Sequence, residues 1–112
     1  MSAITVTRDN FADAVLGASA TRPVLVDFWA PWCAPCRALA PVLDRLAGEH
    51  EGRFTLAKLN TEEAQDIAAQ LRIQSIPTLA LFHGGREIAR RAGALDLRSL
   101  TQWVEAQLGA IA

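Results

Sequence analysis

Apolar residues fall along this chain in two rhythms. Val24-Leu25-Val26-Asp27-Phe28-Trp29 is a nearly continuous run of branched and aromatic residues, the pattern of a strand buried on both faces. Beyond it the period lengthens. Leu39, Val42, Leu43, Leu46 and Ala47 recur at i, i+3, i+4, i+7 and i+8, one face of a helix running from about Cys33 to Ala47. Pro41 lies inside that helix and predicts a kink, because proline lacks an N–H and crowds the preceding turn. Gly48 and Gly52 bracket the exit.

The flanking segments are shorter. Residues 3–7 alternate weakly and read as a strand, and Asp9 to Leu16 reads as a short helix with Phe11, Val15 and Leu16 on one side. Arg22-Pro23 breaks the chain before the central strand. Phe54 to Leu59 is a second central strand. Asn60, with Glu63 three residues later, has the form of a capping box for a helix with Ile67, Ala68 and Leu71 on its apolar face. Ile76 to Phe82 reads as a strand beginning at Pro77, His83-Gly84-Gly85-Arg86 as a hairpin turn, and Glu87 to Ala92 as the returning strand. Asp96 is placed to cap a last helix carrying Leu97, Leu100, Val104 and Leu108. The order β-α-β-α-β-α-β-β-α implies parallel strands with right-handed crossovers, a terminal antiparallel pair, and helices on both faces of one sheet.

Totals narrow the class. At 112 residues, 51% apolar and 21% charged, the chain is expected to be one folded domain spanning 1–112. A net charge of −1 gives no reason to expect nucleic acid or an anionic membrane as partner. The first residues lack a basic segment followed by a long apolar run, and no stretch approaches the ~20 apolar residues of a membrane span, so the cytoplasm is the expected address.

Both cysteines of the chain lie in Trp32-Cys33-Ala34-Pro35-Cys36, where the strand gives way to the helix. In a reducing compartment such a pair is redox-active or metal-binding more often than structural. Its position favours exchange chemistry, since free N–H groups and the positive dipole end at a helix start stabilise a thiolate. Two buried structural cysteines or a metal site are the alternatives. His50 and His83 are too far apart in sequence for zinc-finger spacing, so no metal is expected. Asp27 is the odd residue in its strand: buried, it must either pair or hold a proton. The Gly84-Gly85 pair lacks the pattern of a phosphate loop. Gly85 is expected to supply a turn conformation and Gly93 a close backbone approach.

Over essentially its whole length the sequence resembles the thioredoxin family. The resemblance rests on Val26-Asp27-Phe28-Trp29-Ala30-Pro31-Trp32-Cys33-Ala34-Pro35-Cys36-Arg37, Pro41, Ala57-Lys58-Leu59-Asn60, Ser75-Ile76-Pro77-Thr78-Leu79, Phe82-His83-Gly84-Gly85 and Gly93-Ala94. Asn60-Thr61-Glu62 and Trp103 are similar to the bacterial thioredoxin-2 branch. Members of that branch often carry an extra zinc-binding N-terminal segment with more cysteines, which this chain lacks. The resemblance implies an α/β fold with a five-stranded mixed sheet in the order 1-3-2-4-5, flanked by four helices. It implies a reductase of disulfide-containing proteins with no bound cofactor, recharged by a flavin-dependent thioredoxin reductase that uses NADPH; a monomer is the simplest expectation.

The same resemblance suggests roles for single residues. Cys33 is the attacking thiolate and Cys36 the resolving thiol. Asp27 is a buried acid behind Cys36, and Lys58 its modulating partner; a purely structural Asp27–Lys58 pair is the other reading. Pro77 is expected to follow a cis peptide bond. Trp32, Ala34, Pro35, Ile76, Pro77, Gly93 and Ala94 are expected to form an apolar docking patch around Cys33, with Trp29 packing beneath it and Trp103 in core or on a helix surface. Ala34 departs from the glycine common in the family, which predicts a modest change in potential or partner choice. A thioredoxin-fold binding subunit that ignores its thiols, an oxidase or isomerase of exported proteins, and a glutathione-dependent enzyme are the rivals. The intact dithiol motif, the absence of a leader and the Trp and Ala-Pro around the cysteines weigh against them in turn.

Overall fold

Three strands buried on both sides form the middle of the sheet. In the computed structural model, which describes residues 3–111, β1 (Ile4–Val6), β2 (Val24–Trp29), β3 (Thr55–Asn60), β4 (Thr78–His83) and β5 (Arg86–Ala92) lie in the order β1-β3-β2-β4-β5. Residues 1, 2 and 112 of the expected domain fall outside the described residues. β1 and β2 run parallel to β3, whereas β4 runs antiparallel to both β2 and β5. The remaining elements are an irregular helical segment, Ala12–Gly17 with Ala18–Ala20, and the helices α1 (Ala34–Glu49), α2 (Gln65–Gln70) and α3 (Leu97–Ile111).

Strand alternation sorts the core into two halves. Val24, Val26, Phe28, Ala57, Leu59, Ala80 and Phe82 pack with Phe11 and Val15 of the first helical region and with Ile67 and Leu71 near α2. Leu25, Leu56, Leu79 and Leu81 meet Leu39, Leu43 and Leu46 of α1 and Leu100, Val104 and Leu108 of α3. Phe11 and Phe82 meet edge to face at 5.8 Å. Asp27 and Lys58 are paired in the β2–β3 register and project to the α1 side.

Several boundaries differ from the sequence expectations. The first helical segment begins at Ala12 and has wide π-type turns before a tighter 3-10 turn. α1 starts after Cys33, which is its N-cap, and runs through Pro41 to Glu49. Asn60 does not cap α2. Its side chain accepts the Glu62 N–H at 2.9 Å and closes a separate turn, and α2 begins after Ala64 with no side-chain cap. Ile76 and Pro77 precede β4. Asp96 does cap α3, accepting the Ser99 N–H at 2.8 Å. Gly84 and Gly85, with φ of 65° and 83°, form the two-residue hairpin turn. Gly93 has φ of 96° and open space around an added Cβ, so it is there for its conformation and not for close approach.

Candidate active site

The head of α1 sets one sulfur against a backbone donor. Cys33 has extended φ and ψ, and its Sγ accepts the Cys36 N–H at 3.2 Å in the place of a capping oxygen. Pro35 occupies the first turn, where its missing N–H leaves no bond unmade. The preceding turn is closed by Cys33 N–H to the Ala30 carbonyl at 3.1 Å, and Arg37 Nη1 donates to the Pro31 carbonyl at 2.7 Å. Thr61 ties the end of β3 to the same place through its N–H and hydroxyl, both donated to the Trp29 carbonyl. Cys33 and Cys36 are joined as a disulfide, with their Cα atoms 5.2 Å apart.

Around the sulfurs lie Ala30, Trp29 and Ile76. The Ile76–Pro77 peptide bond is cis, as expected. The Ile76 carbonyl lies 4.0 Å from Cys33 Sγ, and the Gly93 N–H donates to the Pro77 carbonyl at 2.9 Å. The 76–77 loop therefore meets the dithiol through Ile76 and is tied to Gly93 through Pro77. Trp32 is 65% exposed, and its indole N–H donates to the Glu62 carboxylate. Ala34, Pro35, Gly93 and Ala94 are exposed and Ile76 is half-buried, but Pro77 itself is buried. Pro77 thus underlies the patch and does not form its surface. Trp32 and Ile76 also line a shallow cleft of about 170 Å³ with Thr61, Ile73 and Ser75.

Behind Cys36, a partly open cavity of about 180 Å³ is lined by Asp27, Trp29, Cys36, Arg37, Ala40 and Lys58. Asp27 is 2% exposed, and its Oδ1 has no hydrogen-bond partner among the described residues. Burial pushes its pKa up to about 7, Lys58 pulls it down, and Asp44 adds to the rise. Lys58 Nζ lies 3.9 Å from Asp44 Oδ1, so the lysine is shared between the two acids instead of forming a private pair with Asp27. Neither Asp44 nor Glu62 is among the site residues expected from the sequence. Asp44 was within reach of the helical period, because Cys36, Ala40 and Asp44 follow one another at i, i+4 and i+8.

A disulfide whose outer sulfur caps a helix and whose inner sulfur faces a cavity with a buried acid is the site of a dithiol–disulfide oxidoreductase. The family model described as Thioredoxin matches residues 2–106. The chain is 45% identical over 107 residues to Thioredoxin 1 of Nostoc sp., covering 96% of this chain and 98% of that protein. It is 49% identical over 90 residues to Thioredoxin of Alicyclobacillus acidocaldarius, covering 80% and 83%. It is 46% identical over 103 residues to the chloroplastic M-type thioredoxin of Chlamydomonas reinhardtii, covering 92% and 72%. The chain belongs to the thioredoxin family, and its activity is the reduction of protein disulfides by thiol–disulfide exchange. Among the described residues no helix is long and apolar enough to cross a membrane.

Proposed function

We propose that the work is divided between an outer and an inner sulfur. In the reduced protein, the Cys33 thiolate attacks one sulfur of a substrate disulfide. A mixed disulfide forms and the other substrate sulfur leaves as a thiolate. The Cys36 thiol then loses its proton and attacks Cys33 Sγ, which closes the Cys33–Cys36 disulfide and expels the second substrate thiolate. The substrate gains two electrons and the protein loses them. The observation that carries this division is the Cys36 N–H aimed at Cys33 Sγ across 3.2 Å, a contact that favours negative charge on that sulfur.

Asp27 takes the proton from Cys36 through the cavity they share, and Lys58 tunes how readily it does so. An acid titrating near neutrality is matched to that task. The substrate docks as an extended segment against the Ile76 backbone, by strand addition. Trp32, Ala34, Pro35, Gly93 and Ala94 give it a generic apolar surface, with Ile76 at its edge, Pro77 beneath and Trp29 as support.

A flavin-dependent thioredoxin reductase using NADPH returns the disulfide to the dithiol. The protein acts as a cytoplasmic monomer, one domain over residues 1–112, with no metal. The test is NADPH consumption with such a reductase and a disulfide-bonded protein. Wild type is expected to support turnover and Cys33→Ser to abolish it; turnover by Cys33→Ser overturns the reading.

A further inference from the structure

Among the described residues, Arg90 stands out outside the dithiol site for four side-chain hydrogen bonds. Its Nε and Nη2 donate to the two carboxylate oxygens of Glu87 at 2.6 and 2.7 Å. Its Nη2 also donates to the Leu71 carbonyl at 2.6 Å, and Nη1 to the Arg72 carbonyl at 3.1 Å. The fork needs Glu87 and Arg90 on one face of β5, yet residues three apart on a regular strand point to opposite faces. A bulge resolves this. Ala89 pairs with Leu81 but Glu87 pairs with Phe82, so Ile88 is surplus and the alternation is reset. Both side chains then share the face of Ala80 and Phe82, beneath α2.

The far end of the brace is the close of α2. Arg72 N–H bonds back to the Ala69 carbonyl and Ile73 N–H to the Ala68 carbonyl, while Arg72 takes a left-handed φ of 57°. This is the helix ending that usually places glycine in the left-handed position. The Leu71 and Arg72 carbonyls that emerge from it are the ones Arg90 holds. From there residues 73–77 lead to Ile76 beside Cys33, and the loop is fastened again where Gly93, just past β5, donates to the Pro77 carbonyl.

We propose that Arg90 is a positioning residue for substrate: by cross-bracing β5 to the end of α2, it fixes the 73–77 loop against which a protein disulfide docks. It sets affinity for protein substrates and leaves the reactivity of the dithiol unchanged. The inference rests on the docking reading of that loop given above.

The test compares Arg90→Met with wild type on a disulfide-bonded protein and on a small aromatic disulfide too short to span the loop. Redox potential and urea midpoint are measured alongside. Loss of the forked bonds is expected to raise KM for the protein about three- to tenfold, with kcat, potential and the small-disulfide rate held within about twofold. Arg90→Lys keeps the charge without the fork and should restore only part of the affinity. Should Arg90→Met not fold, Arg90→Lys and Glu87→Gln carry the same readout, each raising the protein KM at least about twofold. An unchanged protein KM, or equal losses on both disulfides, overturns the proposal. Ile76→Asp, at the edge of the docking patch, separates the two readings. If it impairs protein reduction while the Arg90 variants do not, the brace alone fails; if it too has no effect, the docking reading falls and the brace with it.

Discussion

The backbone N–H of Cys36 points at Cys33 Sγ from 3.2 Å, and Cys33 is the capping residue of α1. The inner cysteine thus supports the outer one through its backbone before its own sulfur takes part. A charge-assisted bond to the dipole end of a helix favours the Cys33 thiolate over the thiol. Cys36→Ser keeps this N–H and removes the sulfur proposed to resolve the mixed disulfide. It should accumulate a covalent adduct with a disulfide substrate, visible as a mass increase under non-reducing conditions, whereas Cys33→Ser should yield none. An adduct through Cys36 in the Cys33→Ser protein would reverse the assignment.

Asp27 makes stability depend on pH with a defined sign. Its pKa stands at about 7 in the folded protein against an ordinary 3.8. Between those values the folded state holds a proton that the unfolded chain has released. Stability contributed by this group therefore falls as pH rises through the window. Asp27→Asn removes that loss and should stabilise the oxidised protein at pH 8 by roughly 2–4 kcal/mol, with little gain near pH 4. It should also slow substrate reduction. Urea unfolding at the two pH values measures the first effect, and an equal gain at both would exclude a neutral Asp27.

Lys58 and Asp44 act on Asp27 in opposite directions. Lys58→Met should move the Asp27 titration to higher pH, and Asp44→Asn should move it lower. Carbon NMR of the Asp27 carboxyl reads both shifts. Shifts of the same sign would show that these two charges do not act on Asp27 by direct electrostatics.

Gly93 tests conformation against space. With φ of 96° and nothing close to an added Cβ, Gly93→Ala should lose about 1 kcal/mol through backbone strain alone. Gly93→Asn should lose less, because asparagine tolerates left-handed geometry better. An alanine variant as stable as wild type would show that the strand end relaxes.

The architecture was legible because its signals are long. The apolar run of β2 and the one-faced period of α1 each identify an element, and their succession around Cys33 and Cys36 locates the chemistry. Short elements were less legible. Asn60 and Glu63 have the form of a capping box, but Asn60 spends its oxygen on Glu62, and propensity cannot decide between two nearby N–H groups. Phe11 and Val15 pack onto the sheet as their spacing implies, but the wide turns of Ala12–Gly17 have no marker in the local sequence. In β5, the surplus Ile88 resets which side chains face α2, and period-two counting then misplaces Glu87 relative to Arg90. The shared lysine between Asp27 and Asp44 required knowing that α1 lies over the β2–β3 register.

An effort to toughen this molecule by neutralising inward-pointing acids would select Asp27 first. The resulting variant would resist alkali and denaturant better while reducing its clients more slowly. With Asp27 in its proposed role, ruggedness and turnover are set against each other at one carboxyl, and screens for hardiness need an activity measurement run beside them.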